Sequence, residues 1–233
     1  MNYSVYLPKH YNPKMDLLVY SNPAVPRPKY QVPANTGAIF QHLENVMDDF
    51  NMGWIGADNC GNLKSFARRI GCVMLATRVA ARYGHRPAKT YAAGFCGGGL
   101  VASYVNTAYP MIFSGGIYIT GALKWANNKY NIAWDPAFGS GLRAHRFVFL
   151  TGERDPELAE WRSVQKGYVQ TGIREARMLV IRNITHHIPF GTTNESRRLN
   201  PIGTPITQST FRQAMRMLVQ GYTGCDNAQY VCT

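Results

Sequence analysis

The chain has 233 residues, enough to bury one substantial core, and its apolar content of 45% is that of an ordinary globular protein. No uninterrupted apolar run reaches the ~18–20 residues of a membrane helix, and no low-complexity block or internal repeat appears. Its 25 basic residues against 13 acidic ones leave a formal +12, but the arginines are scattered and no nucleic-acid-binding signature accompanies them, so they read as solvated faces with a weak general attraction to anionic surfaces.

The opening "MNYSVYLPKHY" goes straight into strand-like alternation. It has no basic stretch leading into an apolar run, so no signal peptide is present as written, and the compartment stays open. "YSVYLP" predicts a first strand and "DLLVYSNP" a second, buried one. The proline-rich "NPAVPRPKYQVP" reads as a loop, because proline has no N–H for a ladder. A helix is expected over 36–50, then a buried strand in "MGWIGADN".

From 65 to 83 the residues Phe66, Ile70, Val73, Thr77 and Ala80 recur in steps of four and three, one face of a helix with arginines opposite. Ser65 is placed to cap it and Gly84 to stop it. Then follow a strand over 90–93, a helix to about 109, the strand "SGGIYIT" and an irregular, cap-like insert over 121–144. The strands "RFVFLTG" and "ARMLVI" flank a helix over 156–170, and a last helix is expected over 207–221. Strands alternating with helices of this length predict an α/β fold with a mostly parallel sheet covered on both faces, as one domain over 1–233.

In such sheets ligands gather at the carboxyl ends of the strands. Three loops at those ends carry chemistry. "TYAAGFCGGGLVASYV" places Cys96 between Gly94 and Gly98, a strand-turn-helix G-x-S-x-G pattern with sulfur in place of the serine oxygen. "TGERDPE" offers Asp155, with Glu153 in reserve, and Asp135 stands in the insert. "RNITHHIPFG" offers His186, with His187 in reserve. A nucleophile needs a base to take its proton, and the imidazole needs a carboxylate to orient it. The order nucleophile, acid, histidine is that of the α/β-hydrolases.

The flanking glycines leave room for a strained turn. The Gly97 N–H, at a helix start, is one oxyanion donor, and Asn22 after the second strand is the candidate for the other, since Pro23 has no N–H. Competing motifs fail. Gly97–Ala102 fits G-x-G-x-x-A but lies mid-chain with no acid closing the next strand; a P-loop would need Gly-Lys-Ser/Thr. A phosphatase-type cysteine loop would need arginine where Ala102 stands.

No C-x-x-C pair occurs, so no zinc ribbon is expected, and no metal or cofactor is called for. Cys60 and Cys72 read as small buried hydrophobes. Cys225 and Cys232 are close enough to staple a terminal loop.

The stretch over 82–122 resembles the elbow region of the polyhydroxybutyrate-depolymerase and feruloyl-esterase group of α/β-hydrolases. "LTGERD" is similar to that group's acid loop and "ITHHIP" to its histidine loop, an alignment that favours His186. "GADNCGN" is similar to a loop in its bacterial members. Cys96 departs from the group's serine and resembles the dienelactone hydrolases, which carry cysteine in a Gly-Tyr-Cys-x-Gly-Gly elbow.

The resemblance implies a carboxylic ester hydrolase with a Cys96–His186–Asp155 triad acting on activated, aryl or lactone esters, small or polymeric, with Trp125 and Trp134 shaping the pocket. Two readings stand beside it: a scaffold that lost turnover and binds, and a dienelactone-type lactonase.

Overall fold

A computed structural model of the chain describes residues 1–22, 26–27, 30–31, 43–61, 63–123, 141–186, 205–226 and 228–233. Its frame is an eight-stranded sheet. In chain order the strands are β1 (Tyr3–Tyr6), β2 (Leu17–Ser21), β5 (Gly53–Ala57), β6 (Thr90–Phe95), β7 (Gly115–Ile119), β8 (Arg146–Gly152), β9 (Ala176–Ile181) and β10 (Tyr230–Cys232). They lie in the order β1-β5-β2-β6-β7-β8-β9-β10. Only the edges are antiparallel, β1 on β5 and β10 on β9; every other pair is parallel.

Alternation along the strands sorts side chains to two faces. Leu18, Tyr20, Tyr91, Ala93, Ile117, Val148 and Leu179 point to a core shared with α1 (Glu44–Asp49) and α5 (Pro205–Met215). Their neighbours Leu17, Val19, Ala92, Tyr118, Phe149 and Val180 point to a core shared with α2 (Phe66–Arg82), α3 (Gly97–Ala108) and α4 (Leu158–Gln170). Helices on both faces explain why the central strands are apolar throughout rather than alternating. Ser65 caps α2 by accepting from the Arg68 N–H at 3.3 Å, and Gly84 ends it at φ 82°.

Some expectations are corrected. The proline-rich stretch holds a two-stranded ladder, β3 (Pro26–Arg27) with β4 (Tyr30–Gln31), apart from the main sheet; an isolated pair does not require an N–H at every position, so proline is tolerated. Cys60 and Cys72 are buried but disulfide-bonded to each other, tying the turn after β5 to α2. Cys225 and Cys232 form the expected second bridge, yet the segment it closes is not merely a loop: Tyr230–Cys232 is β10. Cys96 is the free cysteine. The last helix passes into a π-helical turn, Arg216–Gln220, ended by Gly221 at φ 70°. Residues 36–42 of the expected first helix and 124–140 of the insert lie outside the described residues. Among the described residues no helix is long and apolar enough to cross a membrane.

Candidate active site

From β2 the chain crosses to β5 on one side, then returns past β2 to β6 and proceeds to the opposite edge. The direction therefore reverses between β2 and β6, where an open α/β sheet forms its crevice. The two strands are in register up to Ser21 opposite Gly94, so Asn22 and Cys96 leave the sheet side by side.

Cys96 links β6 directly to α3 with φ 51° and ψ −121°. A non-glycine residue in that region is strained, by about 1–3 kcal/mol, and persists only where its surroundings hold it. Those surroundings are visible. Its N–H donates to the Ile119 carbonyl at 2.8 Å, and its carbonyl accepts from Leu100 at 3.2 Å. A Cβ on Gly98 would strike the Ser21 carbonyl, one on Gly94 the Gly98 backbone, and one on Gly121 the Cys96 carbonyl. The glycines thus bring α3 against the ends of β2 and β7. Asn22 is buried at this junction, only 1% exposed.

Asp155 follows β8 and is buried. Its Oδ1 accepts the Glu157 N–H at 2.8 Å, turning the chain into α4. Its Oδ2 accepts from the Thr151 hydroxyl at 3.0 Å and from His186 Nδ1 at 3.1 Å. One carboxylate therefore performs both the turn-forming and the imidazole-orienting task. Burial alone would raise its pKa, but the hydrogen bonds from His186, Glu157 and Thr151 hold it below the ordinary carboxylate value.

His186 follows β9, with Phe95 against its ring at 6.0 Å between centroids. Burial opposes a charge on the imidazole. Hydrogen bonds with Asp155 and Cys96, and the negative charge of both, outweigh it and push the pKa up to about 10. The structure thus brings Cys96, His186 and Asp155 into one connected group.

The reserve acid Glu153 is exposed and engaged elsewhere, accepting the Asn183 N–H at 2.9 Å. His187, Asp135, Trp125 and Trp134 lie outside the described residues. Reading by motif missed Thr151, Gly121 and Glu157. Glu157 Oε2 stands 3.7 Å from His186 Nδ1, a second carboxylate on the ring; only the turn at Asp155 brings it there, although the "DPE" spacing was in view. Asp155, Glu157 and His186 present metal-ligand atoms within 4.8 Å of one another. The oxygens of Asp155 are already committed to hydrogen bonds, so this cluster is accounted for by orientation of the imidazole.

No family model and no curated protein sequence matches the chain. Solved structures do. A poly(3-hydroxybutyrate) depolymerase, LpqC from Bordetella parapertussis, superposes with a TM-score of 0.61 at 12% identity over 96% of this chain and 85% of its own. Est1E from Butyrivibrio proteoclasticus superposes with a TM-score of 0.53 at 12% identity, over 91% and 93%. A predicted CIB-like hydrolase from Thermoplasma acidophilum also gives 0.53 at 12% identity, over 90% and 91%. The fold is that of the α/β-hydrolases.

Proposed function

We propose that the protein is a carboxylic ester hydrolase working through Cys96 as nucleophile, His186 as acid and base, and Asp155 as the group that orients His186. The observation that carries the reading is the connected set Asp155–His186–Cys96 on a positive-φ turn at the switch point of the sheet. The fold's esterase and depolymerase neighbours agree with it. Residues 121–144, with Trp125 and Trp134, shape the acyl or aryl pocket, and the whole of 1–233 acts as one catalytic domain.

His186 takes the proton of Cys96 as the sulfur attacks the carbonyl carbon, and Asp155 favours the protonated ring that results. The carbonyl oxygen of the tetrahedral intermediate is received by the N–H groups of Gly97 and Asn22. His186 then gives its proton to the departing alkoxide or phenoxide, leaving an acyl thioester and a neutral imidazole. That imidazole takes a proton from water, the hydroxide adds to the thioester, and the thiolate leaves with the carboxylic acid as product.

The sulfur sets the substrate class. From the first intermediate thiolate is a better leaving group than an alkoxide, so a plain alkyl ester returns to substrate. Aryl, enol, lactone and thioester groups compete successfully with sulfur, so activated esters are the expected substrates.

Hydrolysis of a short p-nitrophenyl ester by wild type, Cys96→Ala and Cys96→Ser, with intact mass followed during turnover, tests this. Turnover with an acyl adduct on wild type, absent from Cys96→Ala, is expected. Wild type matching Cys96→Ala while Cys96→Ser gains activity would overturn it in favour of a binding protein with a disabled nucleophile.

A further inference from the structure

Tyr3 and Val5 in β1, and Leu7 just after it, alternate onto one face of the sheet edge. The helix on that face, α2, packs over β5 and β2. Between the helix and the β1 side chains the surface opens into a groove of about 850 Å³. Its apolar walls face water: Val5 is 52% exposed, Leu7 48%, and Tyr83, at the end of α2, 82%. Tyr11, also exposed, lines the same groove. Single apolar side chains are ordinary on a surface, whereas a contiguous set marks a contact.

The rim of this face is basic. Arg68, Leu75 and Arg82 follow one another at seven residues, two helical turns, and so form one exposed stripe along α2. Val79, which lines the groove, lies one turn from both Leu75 and Arg82, and Arg78 stands one turn before Arg82. No acidic residue occurs in α2, and among the described residues Arg68, Arg78 and Arg82 have no ion-pair partner. The acids that touch β1 are engaged: Asp58 accepts from the Ser4 hydroxyl at 3.0 Å, and Asp48 accepts from the Tyr6 hydroxyl at 2.8 Å and pairs with Lys9. The amino group of Met1, part of the lining, adds positive charge.

We propose that the β1 edge and the adjoining face of α2 dock the protein on an anionic lipid bilayer, with Val5, Leu7, Tyr11 and Tyr83 at the headgroup boundary and Arg68, Arg78 and Arg82 on lipid phosphates. Aliphatic and tyrosine side chains set among arginines match a surface that is apolar beneath and anionic above. An isologous second copy would set this basic rim against itself, on a chain of formal charge +12, and a nucleic acid would leave the apolar wall unpartnered. Strand β6, which leads into Cys96, lies three strands from β1, about 14 Å at the usual strand spacing, so docking leaves the crevice open. Docking needs no turnover, and so it stands or falls apart from the triad.

Full-length wild type is sedimented with phosphatidylcholine vesicles made with and without about one-third phosphatidylglycerol. Binding at least about tenfold tighter to the anionic vesicles is expected. Arg68→Gln/Arg78→Gln/Arg82→Gln should weaken it about 100-fold, roughly fivefold for each arginine at a charged surface. Removing three charges from exposed positions at the other end of the same layer, in Arg162→Gln/Lys166→Gln/Arg174→Gln, should cost less than about threefold. Val5→Ser/Leu7→Ser, which keeps every charge, should weaken binding about tenfold. Equal binding of wild type to both kinds of vesicle, or none to the anionic ones, would overturn the proposal, and neither result needs a variant. Equal losses from the two charge-removed variants would also overturn it, by reducing the effect to net charge. Self-association without lipid, abolished in Val5→Ser/Leu7→Ser, would assign the face to a second copy of the chain instead.

Discussion

Replacing Asp155 with asparagine removes one negative charge and leaves a side chain of nearly the same size beside His186 Nδ1. The consequence is readable on the imidazole itself. In the folded protein its pKa lies at about 10 against an ordinary 6.5, with Asp155 and Cys96 together overcoming burial. At about 1.4 kcal/mol per pKa unit, that preference for the protonated ring is on the order of 5 kcal/mol. The ring is only one-fifth exposed, so solvent screens little of it. With the Asp155 charge gone, burial, Cys96 and the half-exposed Glu157 carboxylate at 3.7 Å remain, and His186 in Asp155→Asn should titrate about one to two pH units lower.

NMR of the imidazole nitrogens across pH 5–11 measures this directly, without substrate. In parallel, kcat/KM on an aryl ester should fall about 10³-fold or more, as expected when an imidazole loses its orienting carboxylate. The reasoning is refuted if wild-type His186 titrates near 6.5, or if Asp155→Asn leaves its titration unchanged.

The same pairing predicts how stability depends on pH. The folded pKa of His186 is raised, so its contribution is complete below 6.5 and is lost as pH rises through about 10; that of Asp155 is lowered, so its contribution exists above 3.8 and is lost as pH falls through the folded value. The urea-midpoint difference between wild type and Asp155→Asn should therefore be widest between pH 4 and 6.5, and a difference that grows toward pH 10 would contradict it. Gly98→Ala should cost on the order of 3 kcal/mol or prevent folding, because its Cβ would strike the Ser21 carbonyl, whereas Gly71→Ala in α2, with nothing within 4 Å, should stabilise by about 0.5–1 kcal/mol; thermal melts of both variants decide it. Glu153→Gln should keep kcat/KM within about twofold of wild type, since Glu153 serves the Asn183 N–H and not the imidazole; a loss like that of Asp155→Asn would reverse the choice of acid. Thiol titration of the denatured, unreduced protein should find one reactive cysteine, Cys96, and replacing both Cys60 and Cys72 with alanine should cost about 3 kcal/mol, the value for a loop of this length.

Local chemistry repeated along the chain was legible without coordinates. The four-three spacing from Phe66 to Ala80, with Ser65 and Gly84 at its ends, became α2 with those caps. The apolar runs became strands buried on both faces. Gly94-Phe95-Cys96-Gly97-Gly98 became a strand, a positive-φ cysteine and a helix. Such patterns are legible because period, capping and turn chemistry act between residues a few positions apart.

Other features needed the assembled sheet. Cys60 and Cys72 are 12 apart, and only the packing of α2 on the turn after β5 brings them to bonding distance. Tyr230–Cys232 has three residues and no period to read; it is a strand because β9 offers a free edge. The sequence already ranks Asp155 ahead of Glu153, and the tertiary structure supplies the physical reason. Two residues apart in one loop, they are equal as carboxylates, and the turn of the chain buries one against His186 and leaves the other in solvent. The sequence by itself determined which residue types stand at each strand end. Only the tertiary structure decided which of them meet, because those distances depend on backbone elements more than thirty residues apart.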